Sequence, residues 1–431
     1  MKRLWAAVLV SLWSGPVTAD TDQAGRAVFE GLPNASGHVL IGSDTVPTSR
    51  FPCRSCHGRD GQGGTEGDAP AIDWTSLAQP VATRPGYDAT SFARLLATGK
   101  TPSGQDVSRL MPRYALDEPT VQSLIAHLSA LTAEQTAGIH PDRIVFGVPL
   151  ANHDAGRGDL LIRALETALA EAMPANGLHG RRIAIRALQG DAASILEQAK
   201  TETIAVMSPP PSSGLDRSLF TNAGVPVIFP IDAVSMTDDP ALVQSFYASR
   251  ERVLDLLLAK AVADGCDRIA VAATPKEEEA EIRSRHTSQD MSDRISSEGS
   301  ADCVLISGKL VAPDVPASVE RLYVASGDLG DLHTSLSSFR GTIIVGRHEA
   351  AALTLAAARQ IGSLDAHAMV ISATLHDALA NAGRDLTRAS LISEIASMSK
   401  PDLGLAFSST TPAASGNVVF QVFETGQKIP P

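Results

Sequence analysis

Between residues 143 and 428, short apolar runs rich in β-branched residues alternate with longer amphipathic stretches, and this alternation most narrows the folds open to the chain. "RIVFGVPL", "GRRIAIRAL", "TIAVMS", "GVPVIFPI", "RIAVAAT", "CVLISG", "RLYVAS" and "TIIVG" read as strands. Among them lie the helical stretches "DLLIRALETALAEAM" and "VQSFYASRERVLDLLLAKAVADG", with further helices around 349 to 361 and 366 to 382. Strands that are apolar on both faces must be covered on both, and the helices that join them do so, which gives parallel sheets wrapped by helices. The stretch is long enough for two α/β lobes.

The 431 residues exceed one ordinary domain and suggest two or three. At the start, Lys2 and Arg3 precede the apolar run "LWAAVLVSLW" and then "SGPVTA", with small residues Val17 and Ala19 at the spacing a signal peptidase reads. Residues 1–19 are therefore expected to be a signal peptide cleaved before Asp20, with the mature protein in the periplasm. That run is too short to span a bilayer, and no later stretch reaches the roughly eighteen apolar residues a membrane helix needs, so a membrane-spanning protein is not expected. A formal net charge of −12 argues against nucleic acid as a partner, because phosphate backbones demand clustered Lys and Arg. Four cysteines are too few for a disulfide scaffold.

Two of the four sit in "FPCRSCHGRDGQGG", residues 51–64. Cys-X-X-Cys-His in an exported chain points to one covalently attached haem c: Cys53 and Cys56 form thioethers with its vinyl groups, and His57 ligates the iron. A three-residue separation on a helix puts both sulfurs on one side. A zinc site would need a second ligand pair nearby, and a thioredoxin-type dithiol would sit in a βαβ pattern, which residues 20–131 lack. Met111 is the single methionine between Asp20 and Leu131, which makes it the expected sixth iron ligand, with Pro112 stiffening the loop behind it. A His/Met pair leaves no open iron position, so an independent enzyme is not expected. His38 is the alternative ligand. His127 falls off the apolar face formed by Val121, Leu124, Ile125, Leu128 and Leu131, which predicts a solvated side chain.

Arg50, Arg54, Arg59, Arg109 and Arg113 concentrate near the two iron ligands, although residues 20–131 hold nine Lys and Arg against twelve Asp and Glu. They form a docking ring for an acidic partner, or pair with haem propionates. "AGRAVFEG", "CRSCHGRDGQGG", "FARLLATGKTPSG", "MPRYAL" and "VQSLIAHLSAL" together resemble the class I cytochrome c family, in particular the haem domains that serve periplasmic dehydrogenases. The resemblance implies an all-α fold over about 110 residues, with "MPRYAL" as the ligand loop. Residues 32–52 depart from it as a longer insert before Cys53.

The second region resembles the type I periplasmic binding proteins, which include receptors for branched-chain amino acids and amides. "GLHGRRIAIRAL" looks like that family's second strand, "GVPVIFPID" like the strand leading to its hinge, "DALANAGRDLTRASLISEIASM" like its late helix pair with Thr387 as N-cap, and "GNVVFQVFETGQ" like its closing strands. The resemblance implies a ligand cleft between lobes, and places Ser212 and Ser213, in "PPPSSG", where the family holds a ligand carboxylate. A rigid proline turn with solvated serines is the other reading. The module is shortened after "GRRIAI", and no aromatic residue can be assigned to the cleft. Cys266 and Cys303 each precede a strand, and form a disulfide if those strands are neighbours or two buried free thiols if not. No phosphate loop, Ser-His-Asp ordering or HExxH motif occurs.

The chain is thus expected to be multidomain: signal peptide 1–19, all-α cytochrome c domain 20–131, linker 132–142, and a two-lobed α/β periplasmic-binding-protein-like domain 143–431 with parallel sheets. Its expected function is a periplasmic electron carrier fed by a periplasmic dehydrogenase or other redox protein, with a module that docks it or takes a small molecule in the interlobe cleft. The alternative is a haem-containing solute-binding or sensor protein that couples ligand occupancy to redox state.

Overall fold

The computed structural model describes residues 23–41, 44–58, 61–63, 69–150, 155–209, 215–274, 276–285, 294–296, 301–308, 318–325, 339–384 and 386–424. The signal segment thus lies outside the described residues. The chain divides into two compact units, Met1–Gln135 and Thr136–Pro431.

In the first unit, helix α1 (Gln23–Glu30) packs against helix α5 (Glu118–Gln135), with α2 (Cys53–His57), α3 (Trp74–Ala78) and α4 (Ala89–Thr98) between them in sequence. Val28, Phe29, Phe92, Leu95, Leu124 and Leu128 fill the core. Asp88 and Ser91 close a reciprocal capping box at the start of α4, which satisfies backbone donors that the first turn would leave open. Helix α5 runs four residues past Leu131, into the stretch assigned to a linker.

The all-α expectation requires correction. Strands β1 (His38–Ile41), β2 (Asp44–Pro47) and β3 (Arg113–Ala115) form an antiparallel sheet in the order β2-β1-β3. The insert before Cys53 is therefore a hairpin, and it pairs with part of the expected ligand loop. The apolar dyad alternation is too short to show in four-residue strands, so the helical pattern around it dominated the reading. His127 is corrected as well: it is only 7% exposed and lies against the Phe29 ring, 5.1 Å between centroids.

The second unit contains two lobes. Lobe one holds β4 (Arg143–Pro149), α6 (Ala155–Ala172), β5 (Arg182–Leu188), α7 (Ala192–Glu202), β6 (Ala205–Met207), α8 (Ser218–Thr221), β7 (Val227–Ile228) and β8 (Val243–Gln244). Lobe two holds α9 (Arg250–Ala263), β9 (Ile269–Thr274), α10 (Lys276–Arg285), β10 (Ile295–Ser296), β11 (Cys303–Gly308), β12 (Arg321–Ala325) and β13 (Thr342–Arg347). The chain then returns to lobe one as α11 (Ala350–Arg359), α12 (Ser363–Ala382), α13 (Arg388–Ala396) and the short strands β14 (Ser399–Lys400) and β15 (Leu405–Ala406), and β16 (Val419–Phe423) closes the second sheet.

Both sheets share one strand order. Lobe one reads β5-β4-β6-β7-β8, all parallel, and lobe two reads β10-β9-β11-β12-β13, also parallel, with β16 antiparallel at its edge. Counted within each lobe this is 2-1-3-4-5 twice, a doubly wound order in which helices cover both faces. Alternation along the strands divides the cores: Ala205, Met207 and Ile228 face α6 and α12, whereas Val206, Val227 and Val243 face α7 and α8. Ile269, Val271, Leu305 and Tyr323 meet Val253, Leu254, Leu257 and Leu258 of α9, while Ala270, Ile306 and Val324 form the opposite layer. The two-lobed α/β expectation holds on this topology.

Cys266 and Cys303 form a disulfide, with Cα atoms 6.0 Å apart, because β9 and β11 are neighbours in the sheet.

Candidate functional site

Among the described residues, three segments carry the chain between the lobes. Tyr247 belongs to the core of lobe one and Ala248 to that of lobe two; Ile344 and Ala351 bracket the second crossing, and Ala414 and Val418 the third. These crossings are stitched side by side. Ser245 donates its N–H to Pro412 (2.7 Å), Ala414 donates to Ser245 (2.8 Å), and Ala248 donates to the His348 carbonyl (3.4 Å). A further correction lies here: "VQSFYASRERVLDLLLAKAVADG" is not one helix. Val243 and Gln244 form a strand, residues 245–248 cross over, and α9 starts at Arg250 because the Ser249 hydroxyl accepts the Arg252 N–H as an N-cap.

The carboxyl ends of the strands meet around these crossings. Beyond β7, Ile231 accepts Nε2–H of His348 at 2.8 Å, and Val234 accepts the backbone N–H of Arg250 at 2.8 Å. The same Arg250 donates its Nη2 to the Ser307 hydroxyl, near the end of β11, at 2.9 Å. Arg250 thus links the carboxyl edge of one sheet to that of the other. Asp232 sits among these groups: burial pushes its carboxyl pKa up, opposed by the charges of His348, Arg217 and Arg250. In doubly wound sheets the crevice outside the carboxyl ends, at the point where strand order reverses, is where ligands bind. In lobe one that point lies between β4 and β6, and the first residue past β6 is Ser208.

Ser208 is fully buried, has φ +46°, and pairs with His367 of α12, Oγ to Nε2 3.0 Å. His367 Nδ1 in turn lies 2.6 Å from the Tyr247 hydroxyl on the first crossing, and the Tyr247 ring stands edge-on to His348 at 5.3 Å. Burial pushes the His367 pKa down to about 3, against the pull of the Glu349 carboxylate, so the imidazole is neutral near pH 7. A neutral imidazole donates from one nitrogen only, so one of the two hydroxyls donates to the ring and the other accepts from it. Ser208 and His367 do not make an exposed nucleophile, because the serine is enclosed and the group beyond the histidine is a phenol.

A histidine whose pKa is lower folded than unfolded leaves the unfolded state binding the extra proton, so stability is lost as pH falls below the unfolded value of about 6.5. Going from pH 7 to pH 5 is expected to cost about 2 kcal/mol through His367 alone. Melting of the full chain against its His367→Leu variant over that range checks this; equal acid slopes would show that His367 is not the group.

The first unit offers a separate constellation. Cys53, Cys56 and His57 lie on one helical turn, introduced by Pro52 as N-cap residue. His57 donates Nδ1–H to the Pro70 carbonyl at 2.7 Å, which leaves Nε2 with its lone pair free for a ligand bond. Burial pushes the Cys53 thiol up to about 12, the Tyr114 hydroxyl opposing, so it is a poor thiolate. Met111 and Cys53 pack against the same apolar cluster. Cys53, Cys56, His57 and Met111 therefore fall in one unit, as haem attachment requires. His38 is an exposed residue of β1. Arg113 donates Nη1 to the Met111 carbonyl. Ser212, Ser213 and Arg59 lie outside the described residues. Among the described residues no group of three His, Cys, Asp or Glu is placed to hold a bare metal ion, and no helix is long and apolar enough to cross a membrane.

No protein-family model matches the chain, and no curated relative matches it. Solved structures similar to it include a possible leucine/isoleucine/valine-binding protein from Rhodopirellula baltica, at 14% identity and TM-score 0.49, covering 67% of this chain and 99% of that one. An ABC transporter substrate-binding protein from Desulfitobacterium hafniense in complex with Leu is similar at 15% identity and TM-score 0.48, covering 66% and 98%. A branched-chain amino acid transporter substrate-binding protein from Streptococcus pneumoniae in complex with isoleucine is similar at 12% identity and TM-score 0.47, covering 66% and 97%.

The electron-carrier expectation is corrected by this finding. The similar structures named above carry the names of solute-binding proteins and not of electron carriers that serve a dehydrogenase. The labels cytochrome and electron transfer, and with them haem and iron as descriptions of the chain, find no counterpart there. The residues missed from the sequence are Tyr247, Asp232, Arg250, His348 and His367. A serine preceding "RERVL" as an N-cap was the signal that would have freed Tyr247 from the helix and exposed the crossing.

Proposed function

We propose that residues 136–431 bind a small solute in the cleft between the two lobes, outside the cytoplasm. The observation that carries this reading is the pair of 2-1-3-4-5 sheets whose carboxyl edges meet at three parallel crossings, joined by Arg250 and His348. Crossings of this kind let two rigid lobes rotate about a few residues and close on a ligand. Asp232 and Arg250 supply opposite charges at the cleft, which suits a ligand that carries polar groups of both signs. Leucine and isoleucine, bound by two of the similar structures, make amino acids the first compounds to try. The Cys266–Cys303 disulfide and the charged-then-apolar start of the sequence support export to an oxidising compartment, the periplasm.

The cofactor proposed for the first unit is one covalent haem c on Cys53 and Cys56, with His57 and Met111 as axial ligands. The residues fit it: two sulfurs on one turn, a histidine whose tautomer is set by Pro70, and a thioether in the same apolar cluster. When bound, the haem would supply an iron centre that His57 and Met111 would ligate. Pro70 orients the His57 ring, and Met111 packs half-buried against the apolar cluster.

The test is a thermal-shift screen of the full chain with the twenty amino acids, dipeptides and small organic acids. A ligand present at 100 times its Kd is expected to stabilise the unit by about 2.7 kcal/mol, an upward shift of several degrees. No shift with any of these compounds would overturn the solute-binding reading. The haem proposal is checked on the same preparation: pigment that stays with the chain in acidified organic solvent supports it, and colourless protein from a host able to attach haem removes it.

A further inference from the structure

The insert at residues 32–52 has no part in attaching a haem, yet it is built into the segment that presents Met111. Strand β3 begins two residues after Met111 and pairs in register with β1: His38 opposite Ala115, Val39 opposite Tyr114, Leu40 opposite Arg113. Val39, at the centre of the pairing, is fully buried among Tyr114, Leu124 and Leu128. The buried Tyr114 donates its hydroxyl to the Phe51 carbonyl at 2.8 Å, two residues before Cys53, and contacts the Cys53 thiol. One strand therefore ties the Met111 segment to the turn that carries the two cysteines.

The loop is fastened at both ends. Val107 donates its N–H to the Gly99 carbonyl at 2.9 Å, at the left-handed cap that ends α4. At the other end Arg113 reaches back to the Met111 carbonyl, and its guanidinium lies over Gly99 so closely that a Cβ there would stand 2.3 Å from it. Glycine at 99 thus serves the positive φ and the stacking together.

We infer that the β1–β2 hairpin and Arg113 form a clamp that positions Met111 as an axial ligand. The inference rests on the haem attachment proposed above. Holding a loop in its ligating conformation before the bond forms removes the ordering cost from the bond, so an outside ligand must compete against a preorganised thioether. Loosening the clamp restores that cost and favours the competitor.

The experiment uses the full chain produced with haem attached, as the parent and as Arg113→Met, Arg113→Lys and Tyr114→Phe. Each ferric protein is titrated with imidazole while the long-wavelength absorption band of sulfur-ligated haem is followed. The imidazole concentration that removes half of the band is expected to fall roughly tenfold in Arg113→Met, the range for lost outer partners of a metal ligand. Arg113→Lys, which keeps one donor, is expected to fall in between. Tyr114→Phe keeps the ring's volume and loses only the hydroxyl, with its ties to the Phe51 carbonyl and the Cys53 sulfur; it is expected to fall as well, and it carries the test if Arg113→Met does not fold. Covalent pigment on a denaturing gel stays equal in all four. Equal imidazole midpoints overturn the clamp with the haem proposal intact. Parent protein with covalent pigment and no sulfur band overturns Met111 as a ligand, and parent protein without pigment overturns the attachment itself.

Discussion

Replacing Arg388 with methionine is expected to lower the melting temperature of the full chain by roughly 10 °C. The side chain is 2% exposed, and its guanidinium donates to four backbone carbonyls: Ile204 (3.1 Å), Ala199 (3.0 Å), Lys200 (2.9 Å) and Thr203 (2.8 Å). These are the terminal carbonyls of α7 and those of the residues that lead into β6, which lack partners within the helix. Arginine spans them because its planar fork presents five donors. Methionine restores the volume and none of the donors; Ala199 keeps the Thr203 hydroxyl (2.9 Å), and the loss of the guanidinium from the other three carbonyls costs about 3–5 kcal/mol. Because Ser208 follows directly on β6, loosening the start of that strand also loosens the buried Ser208–His367 hydrogen bond. Calorimetry or circular dichroism decides: a variant that melts within ~2 °C of the parent, the range of surface substitutions, would mean the carbonyls find other partners.

The second large effect is expected at Gly25, where α1 crosses α5. An added Cβ would stand 2.2 Å from the Ser123 carbonyl oxygen and 2.4 Å from the Leu124 nitrogen, and the Gly25 N–H donates to the Ser123 hydroxyl at 2.7 Å. Backbone, not a flexible side chain, fills the space, so Gly25→Ala must push two helices apart. A loss of about 3 kcal/mol from the first unit is expected, at the upper end of overpacking costs. Trp74 is the only tryptophan after residue 20 and packs edge-on against Phe92 at 5.5 Å, so its fluorescence reports this unit. An unchanged denaturant midpoint by Trp74 would show that the crossing can yield at no cost.

Much of the second unit was legible because its strands are apolar on both faces. "RIAVAAT", "CVLISG", "RLYVAS" and "TIIVG" became β9, β11, β12 and β13, and Thr387 caps α13 through a reciprocal bond with Ser390. The crossings were not legible. "VQSFYAS" holds an apolar spacing compatible with a helix, but pairing with β7 at Val243 and Gln244, and bonds from Ser245 to Pro412 and Ala414 more than 160 residues away, set its start in extended form. His127 was misplaced for a related reason: helical periodicity marks the face toward the main core, but α1 covers a second face of α5. The hairpin at 38–47 escaped notice because its partner strand, 113–115, is remote and three residues long.

The functional correction has the same origin. A five-residue motif, Cys53 to His57, suggested the role of the whole chain, whereas most of the chain lies in the two-lobed α/β unit, on which the solute-binding proposal rests. Local spacing speaks for the chemistry of the residues it contains and for nothing beyond them.

By itself the sequence determined the elements whose stability is local: which runs are strands buried on both faces, which stretches are amphipathic helices, and that two sulfurs and a histidine share one turn. Tertiary structure alone decided which strands are neighbours, and hence that Cys266 meets Cys303, that Arg250 bridges two sheet edges, and that Ser208, His367 and Tyr247 join in one buried chain of hydrogen bonds. Periodicity records only whether a side chain faces solvent or core; the identity of its partner depends on how distant segments pack, which no short window contains.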